Sequence, residues 1–240
     1  MILAAGMGTR LQPLTLTKPK ALVEVKGVPM LEIVIRRLIK YGFKDIVINV
    51  HHFAEQVISF LKERNNFGIS ITISDESDLL LDTGGGLLKA RPLLDEGEPF
   101  LLHNVDVLTN FNLTDLYQFH LKHKPLATLA VKDRPTSRSF LINNKKELSG
   151  WKNNETGKTI IAKGIEQELT PIAFSCVHVI DPKIFNYITE TGVFSITDTY
   201  LRLAKEHQII TWSHNNDVWF DLGRVANLRE AEEHMDKLYP

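Results

Sequence analysis

Two hydrophobic periods alternate along the first half of the chain, and that alternation limits the fold more than any other feature. Short apolar runs at 2–4, 45–50, 69–73, 100–103 and 126–131 predict strands. Between them, Leu31, Val34, Ile35, Leu38 and Ile39 recur at helical spacing, with Pro29 expected at the first helical position and Gly42 as the stop. Ala54, Val57, Ile58 and Leu61 predict a second helix, and Asn112 with Asp115 three residues on predicts the start of a third. Strands and helices in strict alternation imply βαβ units stacked into a largely parallel sheet. Beyond residue 131 the pattern changes. Residues 132–170 are polar, with asparagine turns at Asn143 and Asn144 and at Asn153 and Asn154, and predict antiparallel hairpins. A strand over 172–180, a helix opening at Ser195 with Asp198 as capping partner, a strand over 218–220 and a charged terminal helix from Val225 complete the order. No internal repeat and no linker divides the chain, so the expectation is one α/β domain over 1–240 with a lid inserted at about 132–180.

Composition narrows the function classes. Lysine plus arginine number 28 against 29 acidic residues, which leaves no global field for a polyanion, so nucleic acid is not expected as a partner. Any anion site must be local. The single cysteine, Cys176, excludes an intrachain disulfide and a multi-cysteine zinc centre and fits a reducing compartment, with cytoplasm as the expectation. No basic n-region precedes the first apolar residues and no apolar run approaches a membrane span, so neither secretion nor membrane insertion is expected.

Directly after the first predicted strand comes Leu3-Ala4-Ala5-Gly6-Met7-Gly8-Thr9-Arg10-Leu11-Gln12-Pro13-Leu14-Thr15, followed by Lys18-Pro19-Lys20. Glycines at 6 and 8 let backbone N–H groups turn toward a bound anion. It is not a dinucleotide fingerprint, because Leu11 holds the third glycine position, and no Gly-Lys-Ser/Thr makes it a Walker loop. Pro13 and Pro19 imply an extended loop that carries Arg10, Lys18 and Lys20 over the carboxyl edge of the sheet, three cations that suit a triphosphate.

The whole string resembles the signature of the sugar-1-phosphate nucleotidyltransferase family, and Val25-Lys26-Gly27-Val28-Pro29-Met30-Leu31 resembles its continuation into the first helix. The resemblance implies a three-layer, Rossmann-like nucleotidyltransferase fold with a mixed, mainly parallel central sheet and a small β lid. It also implies roles for matching residues. Arg10 and Lys20 become catalytic, gripping the departing phosphates and neutralising the α-phosphoryl group. Leu3, Ala4, Ala5, Gly6, Gly8, Thr9, Thr83, Gly84 and Asn104 become nucleotide contacts, and Gly85, Arg138 and Ser175 contacts to the sugar phosphate. Relatives usually carry a few residues before this string, whereas Met1-Ile2 alone precedes it here, so a short first strand is expected.

Asn104-Val105-Asp106 closes an apolar strand, which puts Asp106 at the carboxyl edge, where open α/β sheets bind ligands. Mg²⁺ takes one or two carboxylates together with phosphate oxygens and water. Asp221, in Trp219-Phe220-Asp221-Leu222-Gly223, matches the family's second metal aspartate, so Mg²⁺ on Asp106 and Asp221 is the expected cofactor. Val105 stands where the family has glycine, implying a narrower ribose pocket, and Arg224 stands where threonine is common.

Asp82-Thr83-Gly84-Gly85-Gly86-Leu87 is read as a turn whose bare backbone lets a base or sugar lie flat against it. Its Thr-Gly-Gly-Gly form most resembles family members that join UTP to N-acetylmuramate 1-phosphate, a cell-wall precursor, and next those that join GTP to mannose 1-phosphate. In the lid, Lys132, Arg134, Arg138 and Lys163 are scattered cations, and the family's Glu-Lys-Pro string is absent. Phe174-Ser175-Cys176 resembles the strand beside the sugar, with Cys176 in place of glycine and read as a packed thiol. His51, His52, His120 and His123 fit no metal spacing and are read as strand-end and helix-surface residues.

The expected reaction is in-line attack of a sugar 1-phosphate oxygen on the α-phosphorus of a nucleoside triphosphate, with loss of pyrophosphate. A nucleotide-sugar-dependent glycosyltransferase would show Asp-x-Asp, which Asp106-Val107-Leu108 breaks, and a non-catalytic nucleotide-sugar sensor need not keep Arg10, Lys20, Asp106 and Asp221 together. At 240 residues the chain suffices for a catalytic domain, and no additional β-helix domain is expected.

Overall fold

The computed structural model describes residues 1–239. In chain order the elements are β1 (Ile2–Leu3), the short hairpin β2 (Glu24–Val25) and β3 (Val28–Pro29), α1 (Met30–Lys40), β4 (Asp45–Val50), α2 (Ala54–Glu63), β5 (Ser70–Asp75) and α3 (Asp82–Lys89). Then follow β6 (Phe100–Asn104), β7 (Val107–Thr109), α4 (Leu113–His123), β8 (Ala127–Lys132), β9 (Arg138–Ile142), β10 (Leu148–Asn153), β11 (Thr159–Ile161) and β12 (Thr170–Ile180). The chain closes with α5 (Ile196–Leu203), β13 (Ile209–Ser213), β14 (Trp219–Asp221), α6 (Val225–Glu232) and α7 (Met235–Leu238). Every predicted helix and strand is present. Pro29 differs slightly: it ends β3 and caps α1 instead of occupying its first turn.

The ten-stranded sheet is mixed, with β6, β1, β4 and the edge strand β5 side by side in one direction and β13 parallel to β8. Within this sheet antiparallel pairing is confined to the pairs made by β12 and by the hairpin strands β9, β10 and β11. β12 is the hinge of the design. Its carboxyl half lies between β6 and β8 in the main sheet, while Thr170, Pro171 and Ile172 pair with β9. The predicted lid is therefore a continuation of the sheet along one long strand.

Side chains alternate across a strand, and this alternation divides the core in two. Ile2, Ile48 and Leu101 enter one cluster with α1, α2, α4 and α6, whereas Leu3, Val47 and Leu102 enter the other with Leu87 of α3 and Tyr200 of α5. Helices thus cover both faces, giving three layers. The two-residue β1 keeps its central place because Val105 N–H donates to the Leu3 carbonyl at 3.0 Å and Ala4 N–H to Asn49 Oδ1 at 2.6 Å. No helix among the described residues is long and apolar enough to cross a membrane.

Candidate active site

The glycine loop turns over the carboxyl edge of β1. Gly8 has φ +65°, and a Cβ there would lie 2.9 Å from Thr15 Cγ2 and 3.0 Å from Lys20 Cβ, so glycine both permits the turn and admits the lysine. Thr15 Oγ1 donates to the Gly8 carbonyl at 2.8 Å, and the fully buried Leu11 anchors the loop beneath. Lys20 runs back under the glycines, and its ammonium forms an ion pair with Asp106. Arg10 points the other way, its guanidinium packed where a Cβ on Gly223 would stand. Lys18 departs from expectation: it sits 3.6 Å from Glu24 and lines neither cavity of the site. Two loop cations reach the site, not three.

Sheet pairing brings the two aspartates together across 115 positions of sequence. β14 runs antiparallel to β7 with Asp221 opposite Val107, and Leu222 N–H donates to the Asp106 carbonyl at 2.8 Å. Asp106 is nearly buried, while Asp221 Oδ1 accepts the Gly223 N–H at 2.8 Å. Cys176 sits beside both. It occupies a bulge of β12 with φ +56°, and burial, reinforced by the two carboxylates, pushes its thiol up to about 12. Such a thiol is neutral near pH 7 and is no nucleophile, as read from the sequence.

One cavity is lined by Asp106 and a second by Asp221. The first, of about 390 Å³, is lined by Leu3, Ala5, Gly6, Lys20, Asn49, Leu80, Asp82, Thr83, Asn104, Val105, Asp106 and Val193. Val105 is buried in its wall. Of the expected nucleotide contacts, Ala4, Gly8, Thr9 and Gly84 are not in this lining. The second cavity, of about 820 Å³, lies under the lid and is lined by Arg10, Arg134, Arg138, Trp151, Lys158, Phe174, Cys176, Asp198, Trp219, Asp221 and Arg224 among others.

The triple glycine has a different role from the one read in the sequence. Gly84, Gly85 and Gly86 are buried and face protein. A Cβ on Gly84 would enter the Phe194 ring, one on Gly85 would collide with the Gly192 carbonyl, and one on Gly86 would lie 2.6 Å from Glu76 Oε1. Gly84 and Gly85 let α3 pack against the segment before α5, and Gly86 makes room for Glu76 and Asn49, while Leu80, Asp82 and Thr83 face the cavity. Gly84 N–H and Gly85 N–H both donate to the Phe194 carbonyl, at 2.9 and 3.2 Å, and Ile196 N–H donates to Thr83 Oγ1 at 3.0 Å.

The lid cations separate by their partners. Lys132 is tied to the Asn215 and Asp217 carbonyls at 2.6 and 2.8 Å, and Lys163 pairs with Glu147 at 3.0 Å outside the cavity. Arg134 stacks on Trp219 with its guanidinium carbon 3.7 Å from the ring centroid and donates to the Phe174 carbonyl at 3.0 Å. Its Nε is buried without a partner, which leaves one hydrogen bond unused in the cavity wall. Arg138 is exposed at the rim and makes no ion pair among the described residues. Ser175 is corrected: its side chain is fully buried, with Oγ 2.7 Å from His214 Nε2, so its hydroxyl faces the core and not the sugar cavity. His120 is also corrected, since it is buried on α4 with Nδ1 3.0 Å from Thr128 Oγ1.

Three participants had no sequence signal. Asn49 lies within the apolar strand β4, Glu76 follows β5 in the polar run Ser74-Asp75-Glu76-Ser77-Asp78, and Phe194 follows a loop with no recognisable motif. Only the fold brings them to α3 and the glycine loop.

The nucleotidyl transferase family model matches residues 1–237. The chain is 31% identical over 237 residues to N-acetylmuramate alpha-1-phosphate uridylyltransferase of Neisseria meningitidis serogroup B, covering 97% of this chain and 96% of that protein. It is 32% identical over 246 residues to the enzyme of the same name from Caulobacter vibrioides, covering 96% and 97%. Among solved structures it resembles the inositol-1-phosphate CTP transferase from T. maritima, with TM-score 0.78 at 19% identity over 98% and 94% of the two chains. It also resembles HddC from Yersinia pseudotuberculosis complexed with GMP-PN, with TM-score 0.73 at 20% identity over 98% and 97%. At such identities these structures speak to the fold alone. Fold and site together define a nucleotidyltransferase. The chain belongs to the nucleotidyl transferase family, in its sugar-1-phosphate branch.

Proposed function

We propose that this enzyme joins UTP to N-acetylmuramate 1-phosphate in a magnesium-dependent reaction, releasing pyrophosphate and forming the UDP sugar. The observation that carries the choice of sugar is the charge of the 820 Å³ cavity, where five arginines and lysines face three carboxylates. Arg10 belongs to the triphosphate and Arg134 suffices for one phosphate, so Arg138 and Lys158 at the outer end suit a second anion on the sugar. A muramate supplies one as its carboxylate. The names of the two relatives that match almost end to end point to the same substrate.

Asp106 and Asp221 fit magnesium: one carboxylate in the turn just before β7 and one at the end of β14, held side by side by the β7–β14 pairing, with the remaining positions left to phosphate oxygens and water. Bound there, the ion would neutralise phosphate charge and orient the reacting groups. The chain's own residues do the rest. Arg10 grips the β- and γ-phosphates that depart as pyrophosphate. Lys20, prepositioned against Asp106, turns its charge to the α-phosphoryl group as negative charge spreads in the transition state. Arg134, stiffened by Trp219, holds the sugar's phosphate so that its oxygen attacks in line. No covalent enzyme intermediate is required.

A matrix of four nucleoside triphosphates against N-acetylmuramate, mannose and glucose 1-phosphates, read by pyrophosphate release with magnesium or with chelator, tests this reading. UTP with N-acetylmuramate 1-phosphate should give the highest kcat/KM, and chelation should abolish it. Preference for GTP with mannose 1-phosphate, which proteins similar over a smaller share of their own length use by name, would replace the proposed pair.

A further inference from the structure

Asn49 and Glu76 carry a feature that the reaction as described does not use. Glu76 is completely buried, and both of its oxygens accept hydrogen bonds: Oε1 from Asn49 Nδ2 at 2.7 Å and Oε2 from Leu81 N–H at 3.1 Å. Asn49 in turn accepts from Ala4 N–H at 2.6 Å. The result is a closed chain from the glycine loop to the turn before α3: Ala4 N–H to Asn49, Asn49 to Glu76, Glu76 to Leu81 N–H. Its two ends lie within the wall of the 390 Å³ cavity, because Leu3 and Ala5 flank Ala4, and Leu80 and Asp82 flank Leu81. The backbone of Glu76 is itself pinned, with its N–H on the Val50 carbonyl at 2.8 Å and its carbonyl 2.7 Å from His51 Nδ1.

We infer that Asn49 and Glu76 are a positioning pair for the nucleotide. They lock the phosphate-facing loop and the base-facing turn into one register, so that a nucleoside triphosphate meets both at a fixed separation. The inference rests on assigning the 390 Å³ cavity to the nucleotide. Three points favour it over simple packing. A buried carboxylate is retained only where its acceptors are used, and here they are spent on one backbone donor and one amide. The span crosses the ends of the central strands and terminates at two stretches of the cavity wall, the glycine loop and the turn before α3. The absent side chain of Gly86 makes the space, since a Cβ there would come within 2.6 Å of Glu76 Oε1 and 2.9 Å of Asn49 Nδ2. Because a peptide plane is rigid, fixing the Leu81 N–H also fixes the Leu80 carbonyl at the cavity.

The order of donors and acceptors provides the test. Two backbone N–H groups point inward from the ends, so the side chains between them must read acceptor, donor, acceptor, acceptor. Glu76→Gln places a donor against either the Asn49 amide or the Leu81 N–H. Asn49→Asp places two acceptors face to face. The double variant Asn49→Asp with Glu76→Gln restores the match: the aspartate accepts from Ala4 and from the glutamine amide, and the glutamine oxygen accepts from Leu81. Steady-state kinetics with both substrates should show each single variant raising the KM for the nucleoside triphosphate roughly tenfold or more, the scale of one unsatisfied buried hydrogen bond. The KM for the sugar 1-phosphate should change less than about twofold, and the double variant should return the nucleotide KM to within about threefold of the parent. Where the single variants are too unstable to assay, the double must still fold and show that near-parental nucleotide KM. Unchanged nucleotide KM in folded single variants, or no recovery in the double, would overturn the pair. A rise in the sugar-phosphate KM that the double variant reverses would overturn the cavity assignment instead.

Discussion

Substituting Gly84 by alanine separates two meanings of the triple glycine. The new Cβ would stand inside the Phe194 ring and 2.9 Å from the Phe194 carbonyl oxygen, so the segment before α5 must move. Overpacking of this kind costs about 1–3 kcal/mol. Moving the Phe194 carbonyl also strains its hydrogen bonds from Gly84 and Gly85, at 2.9 and 3.2 Å, worth about 1 kcal/mol each. Against this, alanine is favoured over glycine inside a helix by about 1 kcal/mol. Packing wins, and the net loss is about 2–4 kcal/mol. For a domain of this size, each kcal/mol shifts Tm by about 2–4 °C, so the ligand-free protein should melt about 4–16 °C lower. Differential scanning calorimetry of the parent and the variant without ligand is the assay. A variant that melts at the parental temperature yet loses nucleotide affinity would refute the packing account and return the glycines to the ligand.

Other perturbations address the chemistry and the core. Lys20→Ala should lower kcat/KM by about two to four orders of magnitude, the scale for one electrostatic stabiliser, and near-normal turnover would remove the lysine from its role. Arg134→Ala should raise the KM for the sugar 1-phosphate about tenfold or more while the nucleotide KM stays within about twofold; the opposite split would exchange the cavities. Burial holds His103 down to about 4 and His178 down to about 3, well below the ordinary value of 6.5. The unfolded chain therefore takes up protons that the folded protein refuses as pH falls through 6.5, and stability, full above about 7, declines. Between pH 6.5 and 5.5 the loss should be about 1 kcal/mol per histidine. His120 and His214, each also held down to about 4, and the buried Met1 amine, held down to about 5, act in the same direction. Urea denaturation at the two pH values should therefore show a total of about 4 kcal/mol or more, and an unchanged midpoint would place protonated histidines in the folded core.

Legibility tracked the range of the interactions involved. Helix α1 and strand β4 were readable because their apolar spacing is local, and the chain from Leu3 to Lys20 because one contiguous loop carries the pattern. Lys18 was misjudged because sequence shows a charge but not its neighbour, here Glu24. Ser175 was placed beside the sugar by its strand, yet the pleat turns its hydroxyl inward to His214. Gly84 to Gly86 advertise a need for space without saying whose atoms fill it, and Phe194, Gly192 and Glu76 arrive from distant segments.

By itself, the sequence determined an α/β sheet of alternating elements and a glycine-containing loop that carries Arg10 and Lys20 past its edge. These follow from periodicity and from side-chain chemistry, which neighbours along the chain suffice to express. Tertiary structure decided which groups meet: Asp106 and Asp221 through the pairing of β7 with β14, Arg134 on Trp219, and Ala4 joined to Leu81 through Asn49 and Glu76. Such contacts depend on register and packing between segments far apart in the chain, and no local pattern encodes the distance between them.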